Sequence, residues 1–231
     1  MGRGGSTPPT AFFGGEMQIL ERLLNNKGTV SSALGKPLAH RALAGDLKIL
    51  DKCVEYSTYQ INDKKMKHVR SGAAKAVEIT AEHKPQLLKK HLPRLLPALE
   101  AEEPQTRWMI IRTMGFCAKV NPETARKAIP YAEDIIDEKE GLCIASSADL
   151  FLGDYGSLSA RNAKQVFPLL EKSIGTCIEN EQDWILEALL ELYPVLGKRE
   201  KETARRFANQ SRDSSRNNTR KRVIKILGYD S

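Results

Sequence analysis

The sequence predicts an all-α chain, a right-handed α–α superhelix, and three observations carry that expectation. Leu88, Leu92, Leu95 and Leu99 recur 37 residues on as Ala125, Ile129, Ala132 and Ile136, and 38 residues further as Ala163, Phe167, Leu170 and Ile174. A proline follows the second rung each time, at Pro93, Pro130 and Pro168. No stretch alternates apolar and polar residues as a half-buried strand does. Self-similarity at a period of about 20–50 residues marks stacked supersecondary units, each burying its apolar face on the next, and here there is room for about five helix pairs.

Taken in order, residues 1–15 are rich in Gly, Pro, Ser and Thr and read as a disordered leader. Their start, Met-Gly-Arg-Gly-Gly-Ser, also fits the short N-myristoylation pattern on Gly2. Residues 16–231 read as one helical-repeat domain. Residues 16–26 form a first helix with Met17, Leu20, Leu23 and Leu24 on one face. Residues 30–44 and 47–59 make a degenerate first pair. Leu50, Val54 and Ile61 precede Leu88, Leu92 and Leu99 by 38 residues, with Ser57 in place of the third rung. Three regular pairs follow, at 65–82 with 85–100, 104–120 with 122–137, and 141–154 with 159–178. Pro85, Pro104 and Pro122 suit helix starts, where a missing N–H costs nothing. The recurring Pro93, Pro130 and Pro168 predict a kink at one shared place in the second helix of each pair, and Gly153–Ser157 predicts a longer turn. A fourth pair spans 181–196 and 200–210, with Ile185, Ala188, Leu189, Leu192 and Leu196 inward. A last amphipathic helix, 214–227, turns Val223, Ile226 and Leu227 to the core.

Composition narrows the classes. Hydrophobic residues are 41% of the 231, enough for a core, and aromatics only 6%, as suits narrow seams between helices. No apolar run reaches the ~18 residues of a membrane span, and no apolar segment after a charged start reads as a signal peptide. Cys53, Cys117, Cys143 and Cys177 lie far apart in apolar patterns without a CxxC pair, and read as reduced core thiols of a cytoplasmic protein. Residues 198–231 hold 11 Lys/Arg and 4 Asp/Glu, so this basic cap accounts for the whole net charge of +7. Arg220, Lys221 and Arg222 within it form a secondary basic patch open to an anionic partner.

Paired helices of this length carry an Arg early in the first member, at Arg70 and Arg107, and Pro-Leu-Leu-like cores in the second. The residues Pro104, Arg107, Pro93-Arg94-Leu95-Leu96 and Pro168-Leu169-Leu170 resemble HEAT repeats over about residues 30–228. Ile144 and Trp184 depart from the Arg position. The resemblance implies a curved scaffold that binds proteins or nucleic acids, with the exposed face of the second helices lining a concave surface. On that face stand Lys90, Lys127, Gln165 and Arg206, flanked by Lys89, Arg126, Lys164 and Arg205. Seven of these eight are basic, whereas 36 Lys/Arg in 231 would place one or two there by chance.

Enzyme motifs are missing: there is no GxSxG elbow, GxxxxGK[ST] loop, GxGxxG turn or HExxH pair. His40, His68, His83 and His91 have no metal-ligand spacing, His83 and His91 at the two ends of one turn and helix read as surface residues, and no metal or cofactor is expected. The acidic run Glu133, Asp134, Asp137, Glu138 and Glu140 reads as a solvated face. Helical-repeat alkylpurine DNA glycosylases offer an enzyme alternative through Trp108 and Trp184. The residue four after Trp108 is Arg112 rather than an acid, so both tryptophans are expected in seams. The expectation is a non-enzymatic scaffold or adaptor that takes an extended or anionic protein partner along Lys89, Lys90, Arg126, Lys127, Lys164, Arg205 and Arg206. Duplex DNA on the same basic face is the alternative, and a small-molecule substrate is not expected.

Overall fold

Small residues on helix faces set how closely the helices of this chain approach. A computed structural model describes residues 14–25, 32–138 and 141–229, and among them every regular element is helical. The α-helices are α1 (Gly14–Leu24), α2 (Ser32–Leu43), α3 (Leu47–Tyr56), α4 (Lys67–His83), α5 (Leu92–Leu95), α6 (Pro104–Phe116), α7 (Pro122–Arg126), α8 (Ile129–Glu138), α9 (Leu142–Gly156), α10 (Ala160–Thr176), α11 (Gln182–Leu192), α12 (Lys198–Gln210) and α13 (Asn217–Leu227). Short 3-10 turns cover Lys64–Met66, Pro85–Leu88, Leu96–Glu100 and Tyr193–Val195. The myristoylation pattern and the leader to residue 13 lie outside the described residues, while Gly14 and Gly15 belong to α1.

One row of helices packs neighbour on neighbour: α2 on α4, α4 on α6, α6 on α9, α9 on α11 and α11 on α13. Backbones nearly touch along it. A Cβ on Gly35 would stand 2.7 Å from Cβ of Lys75, and one on Gly153 would stand 2.7 Å from Cα of Ala188. Further elements pack on the row, α3 on α4, the Leu96–Glu100 turn on α6, and α8 and α10 on α9. The rungs named from the sequence are core: Leu88, Leu92, Leu95, Leu99, Ala125, Ile129, Ala132, Ile136, Ala163, Phe167 and Leu170 are all buried. Ile174 is half-buried at the end of the set.

The three rung prolines do not make one shared kink. Pro93 and Pro97 each remove a backbone donor within five residues. The segment 85–100 therefore breaks into a 3-10 turn, α5 and a second 3-10 turn. Pro130 sits at the second residue of α8, after a break at Lys127–Ala128, where its missing N–H belongs to an unpaired helix start. Pro168 lies inside an unbroken α10. The expected turn at Gly153–Ser157 is also helical through Gly156, because the bare faces of Gly153 and Gly156 admit Ala188 and Leu192 of α11.

The N-terminal end of α4 is tied to that of α6 by a buried ion pair. Arg70 is 1% exposed, and its Nε and Nη2 donate to the two carboxylate oxygens of Glu103 at 2.8 and 2.7 Å. Its Nη1 donates to the carbonyls of Gln60, Asp63 and Tyr59 at 2.8, 3.0 and 3.2 Å. Thr106 adds a 2.6 Å hydroxyl bond to Glu103. Gln60 adopts φ 42°, a left-handed conformation costly to a side-chain-bearing residue, and the Arg70 bond to its carbonyl helps hold it there.

Removing one member leaves a buried, uncompensated charge. Glu103→Ala is expected to cost about 3–5 kcal/mol, read from urea denaturation, while Glu102→Ala, which breaks the exposed Lys64–Glu102 pair, should leave the midpoint unchanged. Gly153→Ala should lose about 1–3 kcal/mol through overpacking on Ala188. Gly175→Ala in α10, where a Cβ meets nothing within 4 Å, should gain up to about 1 kcal/mol.

Candidate functional site

The chain leaves α4 at Lys84, and Pro85 carries it into a 3-10 turn ending at the buried Leu88. Lys89 and Lys90 then face solvent before His91 turns back inside. The corresponding corner 37 residues on is Asn121–Pro122. Asn121 joins the two corners: its Oδ1 accepts from the Thr124 N–H at 3.2 Å, capping α7, and its Nδ2 donates to the Lys89 carbonyl at 2.9 Å. Between them lies a cavity of about 750 Å³. Leu47, Leu87 and Val120 supply its apolar lining, Lys89 and Lys90 a cationic edge, and Glu123 a carboxylate.

His91 closes the back of this cavity and is 5% exposed, which corrects the expected surface role. Its Nε2 lies 3.4 Å from Oδ1 of Asp51, and Nη1 of Arg94 lies 3.5 Å from its Nδ1. Burial lowers its pKa, Lys90 and Arg94 lower it further, and Asp51 opposes them, so the ring is neutral at pH 7.

Of the predicted row, Lys89 and Lys90 reach this cavity. Arg126 ends α7, Lys127 caps it, Lys164 lies on α10 and Arg206 on α12, all exposed; Arg205 is half-buried. Lys89, Lys90, Arg126, Lys127, Lys164 and Arg206 have no carboxylate partner among the described residues, and in particular none pairs with Asp134. Along this side α5 packs on α3 and α7, and α10 on α8, while α12 packs chiefly on α13.

Several other expectations change. Arg222 is not an open cation: it donates to Asp183 and to Glu187, at 2.5 Å for the latter, and so joins α13 to α11. Arg220 donates to the carbonyls of Ser214 and Ser215 at 2.7 and 3.0 Å, and Lys221 is exposed. The acidic run is partly engaged, Glu138 with Arg107 at 2.6 Å and Asp137 with Lys172, while Glu140 lies outside the described residues. Trp108 packs half-buried against the core, as expected of a seam residue. Trp184 instead carries the Arg216 guanidinium 5.7 Å from its ring centre. Arg112 is committed to Asp154 at 2.7 Å and lies 4.3 Å from the ring centre of Phe116. Cys53 and Cys117 are buried, and burial pushes both thiols up to about 12, so they are inert; Cys143 is exposed and Cys177 half-buried, so they are not full core residues.

No family model matches the chain, and no curated protein does. Among solved structures, the crystal structure of an engineered protein from the Northeast Structural Genomics Consortium is similar in fold, with a TM-score of 0.59 and 17% identity. The likeness covers 90% of this chain and 94% of that one, and at this identity it speaks for the helical fold alone.

A buried carboxylate without a cation among the described residues also escaped the sequence reading. Asp149, in α9, is 3% exposed and accepts a 2.6 Å hydrogen bond from Ser173. Burial, with Glu181 adding to it, pushes its carboxyl up to about 7 against the opposing Ser173 bond. Only its place in the i, i+3 pattern of α9 could have pointed to it, and an aspartate there reads equally well as a surface residue.

The sign of the pH effect follows from this shift. The unfolded chain ionises Asp149 near 3.8 and the folded chain near 7, so the folded state binds the extra proton between them. Stability is full below the lower value and falls as pH rises through this window. Asp149→Asn, which keeps a partner for Ser173, should remove that fall. Urea midpoints at pH 5 and pH 8 check it: the variant should gain on the wild type at the higher pH.

Proposed function

We propose that this chain is a non-enzymatic helical-repeat scaffold whose basic side takes an extended acidic segment of a partner protein. The observation that carries the reading is the cavity of about 750 Å³ at Lys89 and Lys90, which joins an apolar lining to exposed cations without carboxylate partners among the described residues. Pockets of this size, mostly apolar with a few placed charges, are ordinary binding sites. Lys127 and Arg126 continue the positive charge from the adjoining α7, and charge complementarity steers an acidic partner and selects against basic ones. The repeat reading is supported by the 37- and 38-residue offsets, by the neighbour-on-neighbour helix row and by the burial of the rungs. On it the protein is a HEAT-like α-solenoid, which grows by adding units and keeps one side free for ligands.

Duplex DNA is the second reading, favoured by the exposed Arg126, Lys127, Lys164 and Arg206, which lie outside the cavity. Two labelled probes separate the readings, an oligoglutamate peptide with interspersed leucines and a duplex DNA, each titrated at low and moderate salt. On the scaffold reading the peptide binds, and Lys90→Glu/Lys127→Glu weakens it by about tenfold or more, with unchanged thermal stability because both side chains are exposed. DNA binding that falls with a log–log salt slope of about one per phosphate contact replaces it with the second reading. Binding of neither probe at low salt overturns both.

A further inference from the structure

Carboxylates drawn into this fold come with cations. Glu103 has Arg70, Asp154 has Arg112 and Asp183 has Arg222. Asp149 has a hydroxyl. Its hydrogen-bond partner among the described residues is Ser173, which holds one oxygen without offsetting charge. The charged group that acts on it, Glu181, opposes its ionisation. Burying a carboxylate without a counter-ion is costly, so this group stays protonated well above the usual carboxylate range.

Asp149 is not sealed in the core. It opens on a cavity of about 280 Å³ bounded by α8, α9, α10 and α11. On the polar side Ser173, Thr176 and Glu181 join it, and Ile136, Ile178 and Ile185 form an apolar wall. Ile178 is 59% exposed, an apolar residue left uncovered beside the opening. None of these residues belongs to the basic cavity at Lys90.

We propose that this cavity binds a primary alkylammonium, as a free amine or as a lysine side chain presented by a partner. An ammonium has three N–H donors and no acceptor, which suits two carboxylates and two hydroxyls. Its charge supplies the counter-ion that Asp149 lacks, and its methylenes lie against Ile136, Ile178 and Ile185. The volume stands at the small end of ligand sites and suits a short alkyl chain. A bare metal ion fits less well: oxygen-seeking cations need several oxygen ligands, and among the described residues no group of three His, Cys, Asp or Glu is placed to hold one.

Binding couples to a proton. Below pH 7 the carboxylic acid of Asp149 releases H⁺ to solvent as the ammonium arrives, leaving a carboxylate–ammonium pair. Calorimetry of the full chain at pH 6 with n-butylammonium chloride, in two buffers of different ionisation enthalpy, measures both affinity and released protons. Binding with proton release, weakened about tenfold or more in Asp149→Asn, is the expected result. Glu181→Gln, which keeps the acceptor for the Ile178 N–H, should weaken binding while retaining the fold, and it carries the test if the Asp149 variant misfolds. Nα-acetyl-lysine methylamide binding at least as well as butylammonium assigns a lysine side chain; binding of butylammonium alone assigns a free amine. No heat with either amine, equal binding of n-butanol, or unchanged affinity in the variants overturns the proposal.

Discussion

The arginine at the start of α4 decides how this molecule is put together. Arg70 is buried, yet each guanidinium nitrogen has a partner, two from Glu103 and three from the backbone of the turn before α4. A buried ion pair is weak evidence for net stability, since desolvation offsets much of its attraction. Its geometry, however, admits few alternatives. The guanidinium is a rigid planar fork, and satisfying it requires the 59–63 turn, the start of α4 and the start of α6 to meet at one place. The helix row follows from there, because α6 so placed packs on α4 and in turn receives α9.

The same device recurs in looser form and explains where the charges of the chain go. Arg107 reaches Glu138, Arg112 reaches Asp154, and Arg222 reaches Asp183 and Glu187, each joining one helix to another. Arg220 also turns back on the carbonyls of its preceding turn, as Arg70 does. Arg70, Arg107, Arg112 and Arg222 are thus spent on seams, whereas Arg126, Arg206 and the lysines at 89, 90, 127 and 164 stay in solvent without carboxylate partners among the described residues. The difference is physical. A planar guanidinium fork suits holding two elements in register, while a flexible ammonium is strongly hydrated and stays at the surface.

Much of the fold was legible, because burial writes periodicity into sequence. The rungs from Leu88 to Leu170 are core, and so are Ile185, Ala188, Leu189, Leu192, Leu196, Val223 and Ile226. Helix starts at Pro104 and Pro122 also held, since a missing N–H is harmless there. The candidate site was legible in part. Lys89 and Lys90 were found from their place opposite the leucines, but Arg222 in the basic cap went to a salt bridge that no local pattern announces. His91 reads as a surface residue from its place near the end of a turn and helix, yet the chain after the 85–88 turn carries it inward. Asp149 gave no signal, because an aspartate on an amphipathic helix has the same spacing whether it meets water or a serine from the next helix.

By itself the sequence determined the all-helical class, the period and the apolar faces, since these depend on which residue types recur at helical spacing and on hydrophobic burial, which is non-directional and local in its pattern. Tertiary structure alone decided which arginines remain available and which carboxylate is left without a cation. Each of those outcomes depends on atoms 24 to 42 residues away in the chain, as in Ser173 with Asp149 and Asp154 with Arg112. Such pairs form only after the helices dock, because docking brings the two partners together and removes the water that would otherwise have served each of them.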